Sequence, residues 1–215
     1  MILSVREIPV QIGTELRHVR IPADPDSTMQ SNWELYGEDE AFFPFWLEAW
    51  PSSYGLYDYF LKANISLDNA LEVGCGCGVL AQLLEGNGGQ IIHTDIVPSA
   101  CAFAYSQLRE TRGRSVLAMD MLRPCLAEIP PVVFGADLFY EYRLVEMICE
   151  FVRKYLPMSG VAYFADPERP SRPQVPSLLW NSGLQVEKID WQYALNGKPH
   201  KIAIWKLSPA RASGL

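Results

Sequence analysis

The chain has 215 residues, 49% of them hydrophobic, which suits one domain with a single sizeable core. A formal charge of −7 argues against a nucleic-acid backbone as the main partner, and no apolar run approaches the ~20 residues that span a bilayer. Five cysteines, at 75, 77, 101, 125 and 149, are odd in number and lack a C-x-x-C pair, so neither a disulfide framework nor a metal site is expected.

The first residues alternate apolar and polar and include Glu7, so they read as a strand. They lack the basic-then-apolar layout of a signal peptide, and a cytoplasmic location is expected. Ile2, Val5 and Ile8, a turn region at 11–14, then Leu16, Val19 and Ile21 predict a β-hairpin. A turn-rich linker runs from Pro22 to Ser27, and residues 1–41 are expected to form an N-terminal extension. The stretch 42–53 is dense in aromatics. Pro51 suits the first turn of a helix, and residues 54–61 continue with helical spacing. Packing over the core explains such a cluster; so does a pocket lined by Trp50 and Ser52.

Residues 70–73 form an apolar run broken by Glu72, and glycine then recurs at Gly74, Gly76 and Gly78 before a helix-like apolar run. A strand turning at once into a helix needs a tight turn, and a ligand lying across it needs backbone without a Cβ in its way. The helix aims its free N–H groups at the same spot. Cys75 and Cys77 fit between the glycines as small residues. Residues 90–94 read as a second buried strand ending in Asp95, about 20 residues beyond the glycines, where a ribose-binding carboxylate belongs in a mononucleotide-binding βαβ unit. The dinucleotide fingerprint G-x-G-x-x-G is not matched; residues 72–78 read E-x-G-x-G-x-G.

Further on, residues 99–109 predict a helix with Ser99 near its start, and 115–119 a short strand ending at Asp120 and Met121. Residues 131–136 predict a strand whose exit carries Ala136, Asp137 and Tyr140. Ligands of open α/β sheets bind beyond such carboxyl ends. An amphipathic helix is expected over 142–156, a strand over 161–165, and then a proline-built loop that an Asp166–Arg169 pair could stiffen. A short helix at 175–181 with Gly183 as cap precedes a hairpin, 184–193 and 201–207, turning at Asn196-Gly197. Residues 208–215 read as a flexible tail.

The E-x-G-x-G-x-G loop resembles motif I of the class I S-adenosylmethionine (SAM)-dependent methyltransferases. In that family the loop passes the methionine part of SAM and the acid after strand 2 holds the ribose hydroxyls. The resemblance therefore implies cofactor contacts from Glu72, Gly74, Cys75, Gly76, Gly78, Asp95 and Ile96. W-P-S at 50–52 and D-x-x-Y at 137–140 look like the seven-strand protein-lysine methyltransferases. A-D-P-x-R at 165–169 is similar to the branch that includes the electron-transfer-flavoprotein β-subunit lysine methyltransferase. This resemblance implies Trp50 and Ser52 in the SAM pocket and Asp120 at the adenine amine. It places Met121 where an aromatic is usual, Ala136 beside the cofactor, and Asp137 and Tyr140 as catalytic residues around the acceptor amine. It implies an α/β fold over residues 42–207: a Rossmann-like, doubly wound seven-stranded sheet of order 3-2-1-4-5-7-6, strand 7 antiparallel, with the N-terminal hairpin as an extension. The implied activity is methyl transfer from SAM to a lysine of a protein substrate. A small-molecule N-methyltransferase and a non-catalytic SAM-binding module are the alternatives. The D/N-P-P-Y/F signature of DNA amino-methyltransferases is absent at the strand-4 exit, so no nucleic-acid partner and no membrane partner are expected.

Overall fold

The computed structural model describes residues 4–24, 30, 34, 44–86, 89–109 and 114–210. Ile2 of the hairpin, residues 25–27 of the linker, the start of the aromatic stretch at 42–43 and the tail from 211 lie outside the described residues. β1 (Val5–Ile12) and β2 (Glu15–Pro22) form the hairpin, turning at Gly13. A 3-10 turn, Phe45–Leu47, leads to α1 (Pro51–Lys62). Alternating elements follow: β3 (Asn69–Val73), α2 (Val79–Leu83), β4 (Gln90–Asp95), α3 (Pro98–Gln107), β5 (Arg114–Ala118), β6 (Val132–Ala136), α4 (Tyr142–Tyr155), β7 (Val161–Asp166) and α5 (Val175–Trp180). β8 (Gln185–Leu195) and β9 (Lys198–Ser208) close the described chain as a hairpin.

All nine strands share one mixed sheet of order β2-β1-β8-β9-β7-β6-β3-β4-β5. β3 to β7 pair in parallel, and β9 lies antiparallel between β7 and β8. Among the described residues the sheet thus has nine strands where seven were expected. Without the N-terminal hairpin, and numbered from β3, the remaining seven run 3-2-1-4-5-7-6. The hairpin joins because β8 would otherwise leave a row of backbone groups unpaired at the sheet edge. Gly13 N–H donates to Ala194 O at 3.0 Å and Asn196 N–H to Gln11 O at 2.8 Å, while Asn196 Oδ1 accepts from Gln11 N–H at 2.9 Å.

Two apolar layers cover the sheet. One packs Leu56, Tyr57 and Phe60 of α1, Leu80 and Leu83 of α2, and Phe103 of α3 against Phe134 and Tyr163. The other packs Val145, Ile148, Phe151 and Val152 of α4 and Leu179 of α5 against Leu71, Val133, Phe164 and Trp205. Each such side chain, fully buried, contributes roughly 1.5–3 kcal/mol. α1 lies close on the sheet because Gly55 has no side chain; a Cβ there would sit 2.5 Å from Ile202 Cδ1. Helices on both faces leave the carboxyl ends of β3, β4, β5 and β6 open together. No helix among the described residues is long and apolar enough to cross a membrane.

Candidate active site

A cleft at those strand ends encloses about 840 Å³ of empty space, part of it open to solvent. Its floor is the turn after β3. Gly76 adopts φ +53°, and a Cβ built on it meets nothing nearer than 3.7 Å, the backbone of Trp46. No steric overlap therefore bars a side chain at 76, and Gly76 borders the cleft. Gly78 differs: its Cβ would lie 2.8 Å from Ala104 Cβ, so glycine there lets α2 begin against α3.

Asp95, at the end of β4, ties the turn to the next one. Its Oδ2 accepts Gly76 N–H and its Oδ1 accepts Val97 N–H, both at 2.9 Å. Burial pushes its carboxyl pKa up, and these amides pull it back down. Each oxygen keeps a further lone pair for a ligand hydroxyl. Ile96, Asp120 and Met121 continue the wall. Asp120 Oδ1 also accepts Leu122 N–H at 2.9 Å, so it is a turn former and a cleft residue at once. Trp50 lines the cleft too, its indole N–H donating to Phe45 O at 3.0 Å.

The exit of β6 supplies Ala136, Asp137 and Tyr140. Asp137 has φ +58°, a left-handed turn that Asp tolerates better than most residues. Its side chain is buried. Oδ2 accepts Ser52 N–H at 3.1 Å from the first turn of α1, and Oδ1 accepts from Arg169 Nη2 at 2.7 Å. Burial pushes the Asp137 pKa up, against the pull of Ser52 and Arg169. Tyr140 packs its ring on Phe45, centroids 4.8 Å apart, and burial pushes its phenol up to about 12. It is a neutral wall at physiological pH.

Four of the residues expected at the cofactor, Glu72, Cys75, Gly78 and Ser52, are not among those that line the cleft. Glu72 points instead to His93 on β4, with Oε2 2.5 Å from Nδ1, both fully buried. Cys75 is buried, its N–H donating to Thr94 O at 2.9 Å. Gly78 serves the α2–α3 contact. Ser52 acts one step back, through its N–H on Asp137. The Asp137 carboxylate is in the cleft, as expected of a site residue there, and is shared with Arg169. Sequence reasoning missed Phe45, Trp46, Met119, Leu144 and Met147, which line the cleft. The first two belong to the aromatic stretch; helical spacing alone does not separate Leu144 and Met147 from the core positions of α4. Arg169 was read as a partner of Asp166, and the 2.6 Å contact between them is there. Its second arm, to Asp137, has no local spacing to reveal it.

No family model and no curated protein matches this chain. Solved structures do. The glycopeptide N-methyltransferase MtfA complexed with S-adenosyl-L-homocysteine (SAH) is similar at 14% identity and TM-score 0.61, over 75% of this chain and 91% of that one. N-methyltransferase NodS from Bradyrhizobium japonicum WM9, in complex with SAH, is similar at 20% identity and TM-score 0.59, over 86% and 100%. Magnesium protoporphyrin IX methyltransferase (ChlM) from Synechocystis PCC 6803, with bound SAH, is similar at 12% identity and TM-score 0.56, over 85% and 95%. At these identities the shared property is the fold: a Rossmann-like methyltransferase fold with a mixed sheet.

Proposed function

We propose that this chain is a SAM-dependent N-methyltransferase whose acceptor is a lysine side chain of a protein. The observation that carries the SAM reading is Asp95, whose carboxylate braces the glycine turn from inside the cleft while Gly76 leaves that turn open to a ligand. In this reading the backbone at Gly74 and Gly76 borders the methionine part. Asp95 takes the ribose hydroxyls, Ile96 and Met121 flank the adenine, and Asp120 accepts from its amine. SAM supplies a methyl group on a sulfonium, open to in-line displacement by a neutral amine. The chain's task is then positioning. Asp137 accepts an N–H of the incoming amine and turns its lone pair toward the cleft. Tyr140 and Phe45 wall the acceptor off from water. A free lysine, with pKa near 10.4, loses its proton more readily when desolvated.

D-x-x-Y at the β6 exit supports the protein-lysine acceptor. A small-molecule amine is the second reading, supported by the Phe45–Tyr140 pair, whose rings pack together in the lining of the cleft. Calorimetry tests the cofactor: SAM and SAH should bind with micromolar-range affinity and NAD should not. Radiolabelled SAM incubated with the protein and a cell extract, then fractionated by size, separates the acceptors. Label in the macromolecular fraction is expected; label confined to small molecules favours the second reading. No SAH binding at all would sink both.

A further inference from the structure

Asp137 and Asp166 are buried carboxylates, 4% and 3% exposed, at the exits of the neighbouring parallel strands β6 and β7. One guanidinium serves both. Arg169 Nη2 donates to Asp137 Oδ1 at 2.7 Å and Nη1 to Asp166 Oδ2 at 2.6 Å, with its Cζ 5.9 Å from the centre of the Trp50 ring. Glu168 adopts φ +55° and its N–H donates to Asp166 Oδ1 at 3.0 Å, which fixes the loop that delivers Arg169.

Two unpaired buried carboxylates would hold a docked amine as its ammonium ion. An ammonium nitrogen has no lone pair and cannot attack a methyl group. With Arg169 between them the three side chains carry a net single negative charge. Asp137 is engaged once at each oxygen, and a carboxylate offers about four lone-pair sites, so it can still accept an amine N–H.

We infer that Arg169 is a positioning residue of the methyl-transfer site, holding the Asp137 carboxylate in place and cancelling one of two buried charges so that the site takes a neutral amine. The inference rests on the methyl-transfer reading above. Most other charged and titratable groups around the cluster are engaged elsewhere. Arg172 Nε donates to Tyr140 O at 2.6 Å from the same loop. Lys188 of β8 pairs with Glu168 at 2.6 Å and Asp190 at 3.2 Å. Tyr193 of β8 donates its hydroxyl to Pro51 O at 2.7 Å. Across the cleft, Asp95 is tied to backbone amides. Glu141 precedes α4 beside Tyr140. α1 contributes the Ser52 N–H.

The test uses n-butylamine as a stand-in for the lysine head, followed by the Asp137 carboxyl resonance in carbon-13 NMR, with and without SAH. Wild-type protein should bind it more tightly as pH rises from about 8 to about 10, because the neutral form is preferred. Arg169→Met should bind the butylammonium cation about ten-fold more tightly at the lower pH and gain nothing as pH rises. Arg169→Lys should restore the wild-type order. Asp166→Asn keeps Arg169 and removes one negative charge, so it should move the other way, weakening cation binding below wild type; it decides the matter if Arg169→Met does not fold. A guanidinium that merely staples two loops together would leave amine preference unchanged. Equal affinity and equal pH dependence across wild type and variants therefore overturn the inference, as does a wild-type preference for the cation. Failure of wild type to bind SAH would remove the methyl-transfer reading alone, since the titration without SAH still reports on Arg169.

Discussion

Gly76 and Gly78 stand two residues apart in one turn, yet substituting them should do opposite things. Alanine at either site adopts a left-handed backbone, φ +53° or +78°, which costs an L side chain roughly 1–2 kcal/mol. At Gly78 the new methyl also lies 2.8 Å from Ala104 Cβ and 3.1 Å from Ala104 Cα. Backbone must move to relieve that overlap, adding about 1–3 kcal/mol. At Gly76 the nearest atom is 3.7 Å away, an ordinary contact, so no overlap is added. For a domain of this size each kcal/mol lowers the melting temperature by about 2–4 °C, so Gly78→Ala should melt roughly 5 °C below Gly76→Ala. Ligand binding should rank the other way. The Gly76 methyl would be added to the turn that borders the cleft, and SAH affinity should fall by at least about ten-fold, or 1.4 kcal/mol, while Gly78→Ala keeps most of it. Thermal melts and SAH calorimetry on both variants read the two effects separately. A Gly76→Ala protein that binds SAH normally, or a Gly78→Ala protein as stable as its neighbour, refutes this division of roles.

Asp95→Asn keeps the size but replaces one acceptor oxygen with an NH2 group, leaving one of the two backbone amides facing a donor; SAH affinity should drop by roughly 1–3 kcal/mol in calorimetry, and an unchanged value removes Asp95 from the site. Burial, opposed in part by Arg169, pushes the Asp166 pKa from 3.8 up to about 6. The native state therefore binds this proton more tightly than the unfolded chain does. That contribution favours folding at low pH and is lost as pH rises from about 4 to about 6, a difference of roughly 3 kcal/mol. Asp166→Asn should flatten the dependence of melting temperature on pH between about 4 and 7 relative to wild type, and parallel curves would contradict it. Met121→Trp should hold or raise SAH affinity if the side chain flanks the adenine, whereas loss of affinity in a folded variant would mean that Met121 belongs to the core layer it borders.

The parts of this site legible in the sequence are those fixed by local chain geometry. A strand ending in E-x-G-x-G-x-G and one ending in an acid about 20 residues later can converge in only a few ways, and Gly76 and Asp95 meet as that pattern expects. The turns at Gly13 and at Asn196-Gly197 likewise announce themselves through residues that accept positive φ. What the sequence hid depends on register or on distant neighbours. Glu72 faces His93 because β3 and β4 pair with those two residues opposite each other, and nothing in either strand's composition sets that register. Gly76 and Gly78 have the same local spacing; Ala104, on another helix, separates their roles. Arg169 could be paired with Asp166 three residues away, but its contact with Asp137 spans 32 positions.

The union of β1 with β8 also governs the order in which the molecule can assemble. Gln11 and Asn196, which bond across it, are 185 positions apart. Closing so long a loop is among the slower events of folding, whereas the β1–β2 hairpin can form within about 1–10 μs. A hairpin made before β8 is translated thus waits for it before the free edge of β1 finds a partner. Gln82 gives it a provisional hold: the side-chain carbonyl of Gln82 accepts Arg20 N–H at 2.8 Å and its amide donates to Arg20 O at 2.9 Å, as a neighbouring strand would. A nascent chain cut short before β8 would expose unpaired edges on both β1 and β7, two sites for misassociation that completing β8 and β9 removes in one step.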